Sequence, residues 1–395
     1  MKLRCERDLL VEALATAGRA AGSGTGGPQA LSGVHLRLQS STLTLTSTDR
    51  DLSIQVQVEV AGVEDGTALL PSRLTADIVR SLEPGAVTLT CEEDQASISA
   101  GRSHFSVFSY PPEEFPHLSP PEGAGVVLAA GELNEAMRQV VRAASTDENR
   151  FNLTGVLLSA EGEGLRMVAT DGFRLALRDL VGTAVLSEGQ QVIVPARALS
   201  ELQRLLSTGS SLAGPPVRPA PDSGRGEAGA EIGPPGAGRQ VTVRVGELDA
   251  TFEVGSVLLS TRLLKINFPN YRQLMLPSYP NRLVVGKDPL LDAVRRVKLL
   301  VRDALAPVRM ALGPDGIQLT ASTEEIGQAS EDVDAKYEGT EMCIAFNPTF
   351  LMAGVEAVTG DEVLIEIFDA SRAAMMRGSE SDPYRYLLMP IRVPS

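Results

Sequence analysis

One phrase occurs twice in this chain and a third time in weaker form. A chain built on an internal repeat has to fold as copies of one unit. LSGVHLRLQSSTLTLTSTDRDLSIQVQVEV (31–60) matches LTGVLLSAEGEGLRMVATDGFRLALRDLVG (153–182), and LAPVRMALGPDGIQLTASTEEIGQASEDVD (305–334) is the weaker copy. Apolar and polar residues alternate, with Gly, Ser or Asp between the runs, so each copy reads as three strands joined by turns. A second phrase follows each first: LLPSRLTADIVRSL (69–82), VIVPARALSELQRLL (192–206) and AFNPTFLMAGVEAV (345–358). Each passes from a strand into a helix, with Pro71, Pro195 or Pro348 near the first helical position, where a missing N–H costs nothing. Another helix precedes each first phrase, at 6–20, 132–145 and 288–302. Each unit is therefore helix, strands, helix, strands. Its two similar halves imply six subdomains in all.

The chain has 395 residues, beyond the roughly 250–300 at which one core stops growing. Three domains are expected, 1–123, 124–265 and 266–395, with linkers EEFPHLSPPEGAG (113–125) and INFPNYRQLMLPSYPN (266–281). Residues 207–239, rich in Gly, Pro, Ser and Ala, cannot bury a core and are expected to be a disordered insertion in the second domain. Aromatics are 4% of the chain and Trp is absent, so the cores must be aliphatic. No apolar run is long enough for a membrane span, and the start lacks the apolar stretch of a signal peptide. Cys5, Cys91 and Cys343 form no framework, which fits a reducing cytoplasm.

No catalytic constellation, cofactor motif or metal-ligand spacing occurs. His35, His104 and His117 fall in unrelated settings, and Gly286-Lys287 lacks the rest of a phosphate loop. Asp171 reads as a turn aspartate bonding its own backbone, because Asp49 holds the same repeat position. The formal net charge is −14, yet the predicted helices are net basic. Arg138 and Arg142 share a helix face, as do Arg73 and Arg80, Arg197 and Arg204, and Arg295, Lys298 and Arg302. Basic faces at corresponding repeat positions fit a phosphate-directed surface that binds DNA without sequence preference.

LSGV (31–34), GRSHFSV (101–107), ATDGFRLAL (169–177), FPNYRQL (268–274), IAFNPTFL (344–351) and YLLMPIRV (386–393) occur here in order and at spacing that resemble the bacterial DNA polymerase III beta subunits, the sliding clamps. The resemblance covers essentially the whole chain. It implies an α+β DNA clamp fold of three repeated domains, each with two helices packed on antiparallel sheets. It also implies a head-to-tail homodimeric ring around duplex DNA. The implied partners are DNA polymerase III, other clamp-binding polymerases and repair proteins, and a clamp loader. No membrane, cofactor, metal or catalysis is implied.

The resemblance also carries site residues. Its partner-peptide pocket takes Leu153, Thr170, Gly172, Phe173, Arg174 and Leu175 from the second Thr-Asp phrase, and Pro269, Gln273 and Leu274 from the linker. Leu305, Asn347, Phe350, Ser371 and Ala373 come from the third domain, and Leu387, Leu388, Met389, Pro390, Ile391 and Arg392 from the tail. Arg150, Phe151 and Asn152 match DNA-contact positions, joining Arg73, Arg80, Arg138, Arg142, Arg197 and Arg204. The dimer interface is expected at Ile78, Leu82, Phe105 and Val107 opposite Leu299 and Leu300. Around it, Arg73, Arg102 and His104 would face Glu324, Glu325, Glu331 and Asp332.

Several features depart from the family. AAGSGTGGPQA (20–30) puts Thr25 where an Arg is usual, Asp147 replaces a neutral residue, and FPNYRQLMLP is one residue longer. With the insertion, these point to a divergent, extra-copy clamp whose altered pocket could resist an inhibitor. The competing reading is a clamp-like protein-interaction scaffold that no longer loads on DNA.

Overall fold

The computed structural model describes residues 1–22, 27–207, 211–213, 238–301, 306–323 and 327–392. Thr25, Arg302, Leu305, Glu324, Glu325 and most of 207–239 lie outside them. Six α-helices form: α1 (Arg7–Ala17), α2 (Ser72–Ser81), α3 (Ala130–Val140), α4 (Ala196–Ser207), α5 (Lys287–Lys298) and α6 (Pro348–Ala357). Three end earlier than expected. Gly18–Ala20 after α1 and Val141–Ala143 after α3 tighten into 3-10 turns. After α5, the amides of Leu299, Leu300 and Val301 bond three residues back, to Arg296, Val297 and Lys298. Leu299 continues the apolar sequence pattern but not the buried face, being 81% exposed.

The chain forms two compact units, Met1–Asn134 with Arg197–Leu263, and Glu135–Ala196 with Leu264–Ser395. Neither coincides with one repeat, and the sheets explain why. In the first unit an eight-stranded antiparallel sheet runs Val126–Ala129, Gln240–Val245, Asp249–Val254, Val257–Arg262, Leu52–Glu59, Thr42–Thr48, Gly33–Gln39, Gly66–Pro71. Within it, the last strand of the second repeat unit is bonded to the third strand of the first, Leu259 opposite Ile54. In the second unit a nine-stranded sheet runs Gln191–Pro195, Gly155–Glu161, Gly164–Thr170, Arg174–Leu180, Tyr384–Leu388, Ala374–Arg377, Glu362–Ile367, Asn281–Gly286, Ala335–Glu338. There the last strand of the third repeat joins the third strand of the second, Arg174 opposite Leu388 and Arg178 opposite Tyr384.

Two smaller sheets remain. A five-stranded one in the first unit ends on Ser103–Phe108, and a four-stranded one in the second ends on Gly327–Val333. These are the last strand of the first repeat and the third strand of the third. They are the strand types joined in both large sheets, and each is an edge here.

Strand alternation does what the sequence pattern asks: Leu52, Ile54, Val56 and Val58 of Leu52–Glu59 point inward. The cores are aliphatic, and the largest fully buried side chains begin with Tyr384, Tyr386 and Phe346. α4 buries Ala198, Leu199, Leu202, Leu205 and Leu206, leaving Arg197 and Arg204 exposed. Part of the stretch expected to be disordered is ordered. Ser211–Ala213 is a 3-10 turn with Leu212 and Ala213 buried. The Leu212 carbonyl accepts from the Ser256 amide and hydroxyl, and Ser211 bonds the Glu12 carboxylate. A buried leucine and alanine, with these hydrogen bonds, hold a segment that composition averages away. Among the described residues, no helix is long and apolar enough to cross a membrane, and no cluster of His, Cys, Asp and Glu could hold a metal ion.

Candidate functional site

The repeated Thr-Asp phrase builds the same turn twice. The Thr48 hydroxyl donates to the Leu52 carbonyl and accepts from the Arg50 amide; Thr170 does the same with Arg174 and Gly172. One oxygen of Asp49 accepts from the amides of Asp51 and Leu52, and one of Asp171 from those of Phe173 and Arg174. The third turn residue is left-handed in both copies, Arg50 at φ 84° and Gly172 at φ 88°. The expected turn role of the aspartates is what the structure shows. Their other oxygens diverge: Asp49 takes Arg197 of α4, whereas Asp171 takes Arg174 Nε at 2.9 Å.

The second turn lies in the second unit among further contacts. Arg174 lies over the Phe350 ring at 4.4 Å, and Arg150 over the Phe173 ring at 5.2 Å while donating to the Asp171 carbonyl at 2.7 Å. The Met389 amide bonds the Phe173 carbonyl, and the Ile391 amide bonds that of Ala345, which lays the tail beside this turn. The surface formed here exposes Phe173 (53%) and Met389 (39%), and Leu274 (47%) is exposed in the linker turn Tyr271–Leu274. Leu175, Leu387 and Ala373 are buried beneath that surface in one cluster with Leu177 and Tyr271. Asn347 caps α6, accepting from the amides of Thr349 and Phe350, and Ser371 bonds Asp369. The Tyr386 hydroxyl donates to the Phe350 carbonyl. Gly354 permits that approach, because a Cβ there would meet the Tyr386 ring at 2.5 Å. The arrangement is an apolar surface beside Arg150 and Arg174.

The basic residues are mostly paired. Arg80 bonds Asp77, Arg204 lies 3.8 Å from Glu201, and Arg197 bonds Asp49. Arg138 is gripped by both Glu135 oxygens at 2.6 and 2.7 Å and donates to the Glu356 and Ala357 carbonyls at the end of α6. That hydrogen bond from Arg138 holds the Glu135 carboxyl below its usual range. Arg142 and Arg295 both reach the Glu356 carboxylate. Arg73, Phe151 and Asn152 are exposed.

Models of the DNA polymerase III beta subunit match the N-terminal domain at residues 1–119, the central domain at 127–213 and the C-terminal domain at 273–392. The beta sliding clamp of Streptomyces coelicolor is 33% identical over 402 residues, with all of both chains covered. The chain belongs to the DNA polymerase III beta subunit family. The beta sliding clamp of Vibrio cholerae is 27% identical, over 84% of this chain and 83% of its own. The DNA polymerase sliding clamp of Bacillus subtilis superposes over all of both chains with a TM-score of 0.87 at 25% identity. A Pseudomonas aeruginosa sliding clamp bound to griselimycin shares the fold, with a TM-score of 0.85 at 24% identity over all of both chains. The three-domain clamp fold is therefore as expected. The chain is a sliding clamp, a processivity factor of replication and not an enzyme.

Within the clamp fold several expected site residues have other work. Leu388 is fully buried and central in the nine-stranded sheet, so it is core and not pocket wall. Leu82 (3% exposed) and Val107 (6%) are likewise spent inside the chain, while Leu74 (50%) and Phe108 (70%) are the exposed apolar neighbours that helical and strand spacing did not single out. Phe105 and Leu299 are exposed, and Ile78 and Leu300 are half-buried. Arg150 is exposed and bound to the Thr-Asp turn through the Asp171 carbonyl and the Phe173 ring. Asp147 caps the turn Glu148–Leu153 by accepting from the Asn149 amide. Glu331 is paired with Arg296 of its own chain, and Asp332 with Gln318.

Proposed function

We propose that two copies of this chain close head to tail into a ring around duplex DNA and tether clamp-binding polymerases to it. The supporting observation is the pair of open sheets. Both internal junctions join a third strand to a last strand, and the one junction without a partner inside the chain leaves Gly327–Val333 and Ser103–Phe108 as edges. A second copy supplies the missing partner to each, which is the heterologous contact that closes rings. Charge agrees, with Arg102 and His104 at one edge and Asp332 at the other. Sedimentation should give a dimer at micromolar concentration for the native chain, and monomers for Phe105→Asp with Leu299→Asp. A native monomer would overturn the reading.

The shelf of Phe173, Leu274 and Met389 fits a short peptide with a few apolar anchors. DNA polymerase III, other polymerases, repair proteins and the clamp loader are the partners assigned to it. The pocket residues Leu153, Thr170, Gly172, Arg174, Leu175, Pro269, Gln273, Leu387, Pro390, Ile391 and Arg392 stay in this proposal, as does the cytoplasm for a chain whose three cysteines are free thiols. The finer reading, an extra-copy clamp that keeps its peptide and rejects an inhibitor, rests on the extra residue in FPNYRQLMLP. Titrating a clamp-binding peptide and griselimycin against this clamp and a typical one tests it. Equal loss or equal retention of both would end that idea.

A second reading, a scaffold that no longer loads on DNA, is favoured by the self-paired arginines. A ring crosslinked across its open junctions and retained on circular but not linear DNA excludes it.

A further inference from the structure

The Glu356 carboxylate is held by two arginines from different elements. Arg142, in the 3-10 turn after α3, reaches one oxygen at 3.3 Å; Arg295 of α5 reaches the other at 3.5 Å. All three side chains are accessible, at 36%, 51% and 38% exposure. Glu356 lies in the last turn of α6, the negative end of the helix dipole, where a carboxylate is disfavoured unless cations gather around it. The arginines therefore stabilise an acid that the helix itself repels. Arg138 takes no part in the carboxylate's oxygens, being committed to Glu135 and the helix-end carbonyls.

We propose that Arg142 and Arg295 form a binding site for one DNA backbone phosphate, and that Glu356 is its built-in competitor. A phosphodiester presents two non-bridging oxygens, as the carboxylate does, and can take one guanidinium on each. In the free protein Glu356 fills the site. When a phosphate enters, it trades places with a carboxylate that stays nearby and repels it. The exchange keeps the contact weak, as sliding requires, and keeps the arginines from holding one phosphate for long. Arg295 is also paired with Asp292 at 3.0 Å, which further limits the free positive charge.

This inference rests on the reading that the clamp encircles DNA, and the test separates the two. Binding of a labelled duplex oligonucleotide by the full-length protein is followed by anisotropy across a salt series. Glu356→Gln should tighten binding about two- to fivefold, the range of an exposed ion pair. It should steepen the log–log salt slope by roughly 0.9, one phosphate's worth. In an Arg142→Ala, Arg295→Ala background the same substitution should change nothing. Glu356→Ser serves as a second variant, and thermal unfolding checks the fold of each. Unchanged or weaker binding by both Glu356 variants overturns the proposal. If Arg197→Ala with Arg204→Ala weakens binding while Glu356 variants are neutral, only this inference fails. If no variant of either set alters binding, the DNA reading fails with it; if the native protein does not hold the linear duplex, this inference fails and retention on circular DNA still decides the DNA reading.

Discussion

Met389 and Leu388 are neighbours in sequence with opposite fates. Met389 is 39% exposed on the shelf, and Leu388 is wholly buried. Met389→Ala should therefore weaken partner-peptide binding by about 1–2 kcal/mol with little change in Tm. Leu388→Ala should instead lower stability by about 2–5 kcal/mol. Calorimetric titration and thermal melts of the two variants check the contrast. The sequence put Leu388 and Met389 alike in the pocket and could not show which side chain faces which way; only the pairing of Leu388 with Arg174 and Ala374 decides that. Glu135 makes a second residue-scale prediction. Arg138 lowers its folded pKa below the ordinary 4.5, so its contribution to stability is complete above that value and lost as pH falls through the lower folded one. Glu135→Gln should flatten the acid limb of stability against pH between these two values. An unchanged limb would mean that the pair is energetically idle.

Among elements, the tail strand is the one most misjudged from sequence. The tail residues from Leu387 on were expected in the pocket, yet Tyr384–Leu388 lies between Arg174–Leu180 and Ala374–Arg377 with Tyr384 and Tyr386 fully buried. Local alternation identifies a strand without naming its neighbours, and neighbours more than 200 residues away in sequence are set by register and packing. Removing residues 384–395 should unfold the second unit rather than merely silence the pocket, as far-UV circular dichroism and urea melts would record. The Thr-Asp turn was legible, because the same side chains bond the same backbone atoms in both copies. The arginines were half legible. Helical spacing put Arg138 on an outward face, but could not show that the end of α6 and Glu135 occupy it.

For the whole molecule, the repeat period announced three similar domains, and the family match agrees. The compact units cut across those domains because the sheets straddle two of their boundaries, which no local pattern records. The basic faces make a prediction at this scale. Arg197→Ala with Arg204→Ala should reduce the salt slope of DNA binding by roughly 0.9 for each phosphate no longer neutralised, without changing the sedimentation of the native chain. An unaltered slope would place DNA elsewhere.

The two edge strands bring a consequence beyond stoichiometry. A subunit whose two ends are complementary can join copies into a closed circle or an endless thread, and only the angle between its ends decides which. In the ring proposed above that angle depends on the internal junctions, such as Arg174–Leu180 against Tyr384–Leu388, as well as on the edges. Substitutions there that leave the surfaces between subunits intact should still turn discrete rings into filaments, visible by electron microscopy and light scattering.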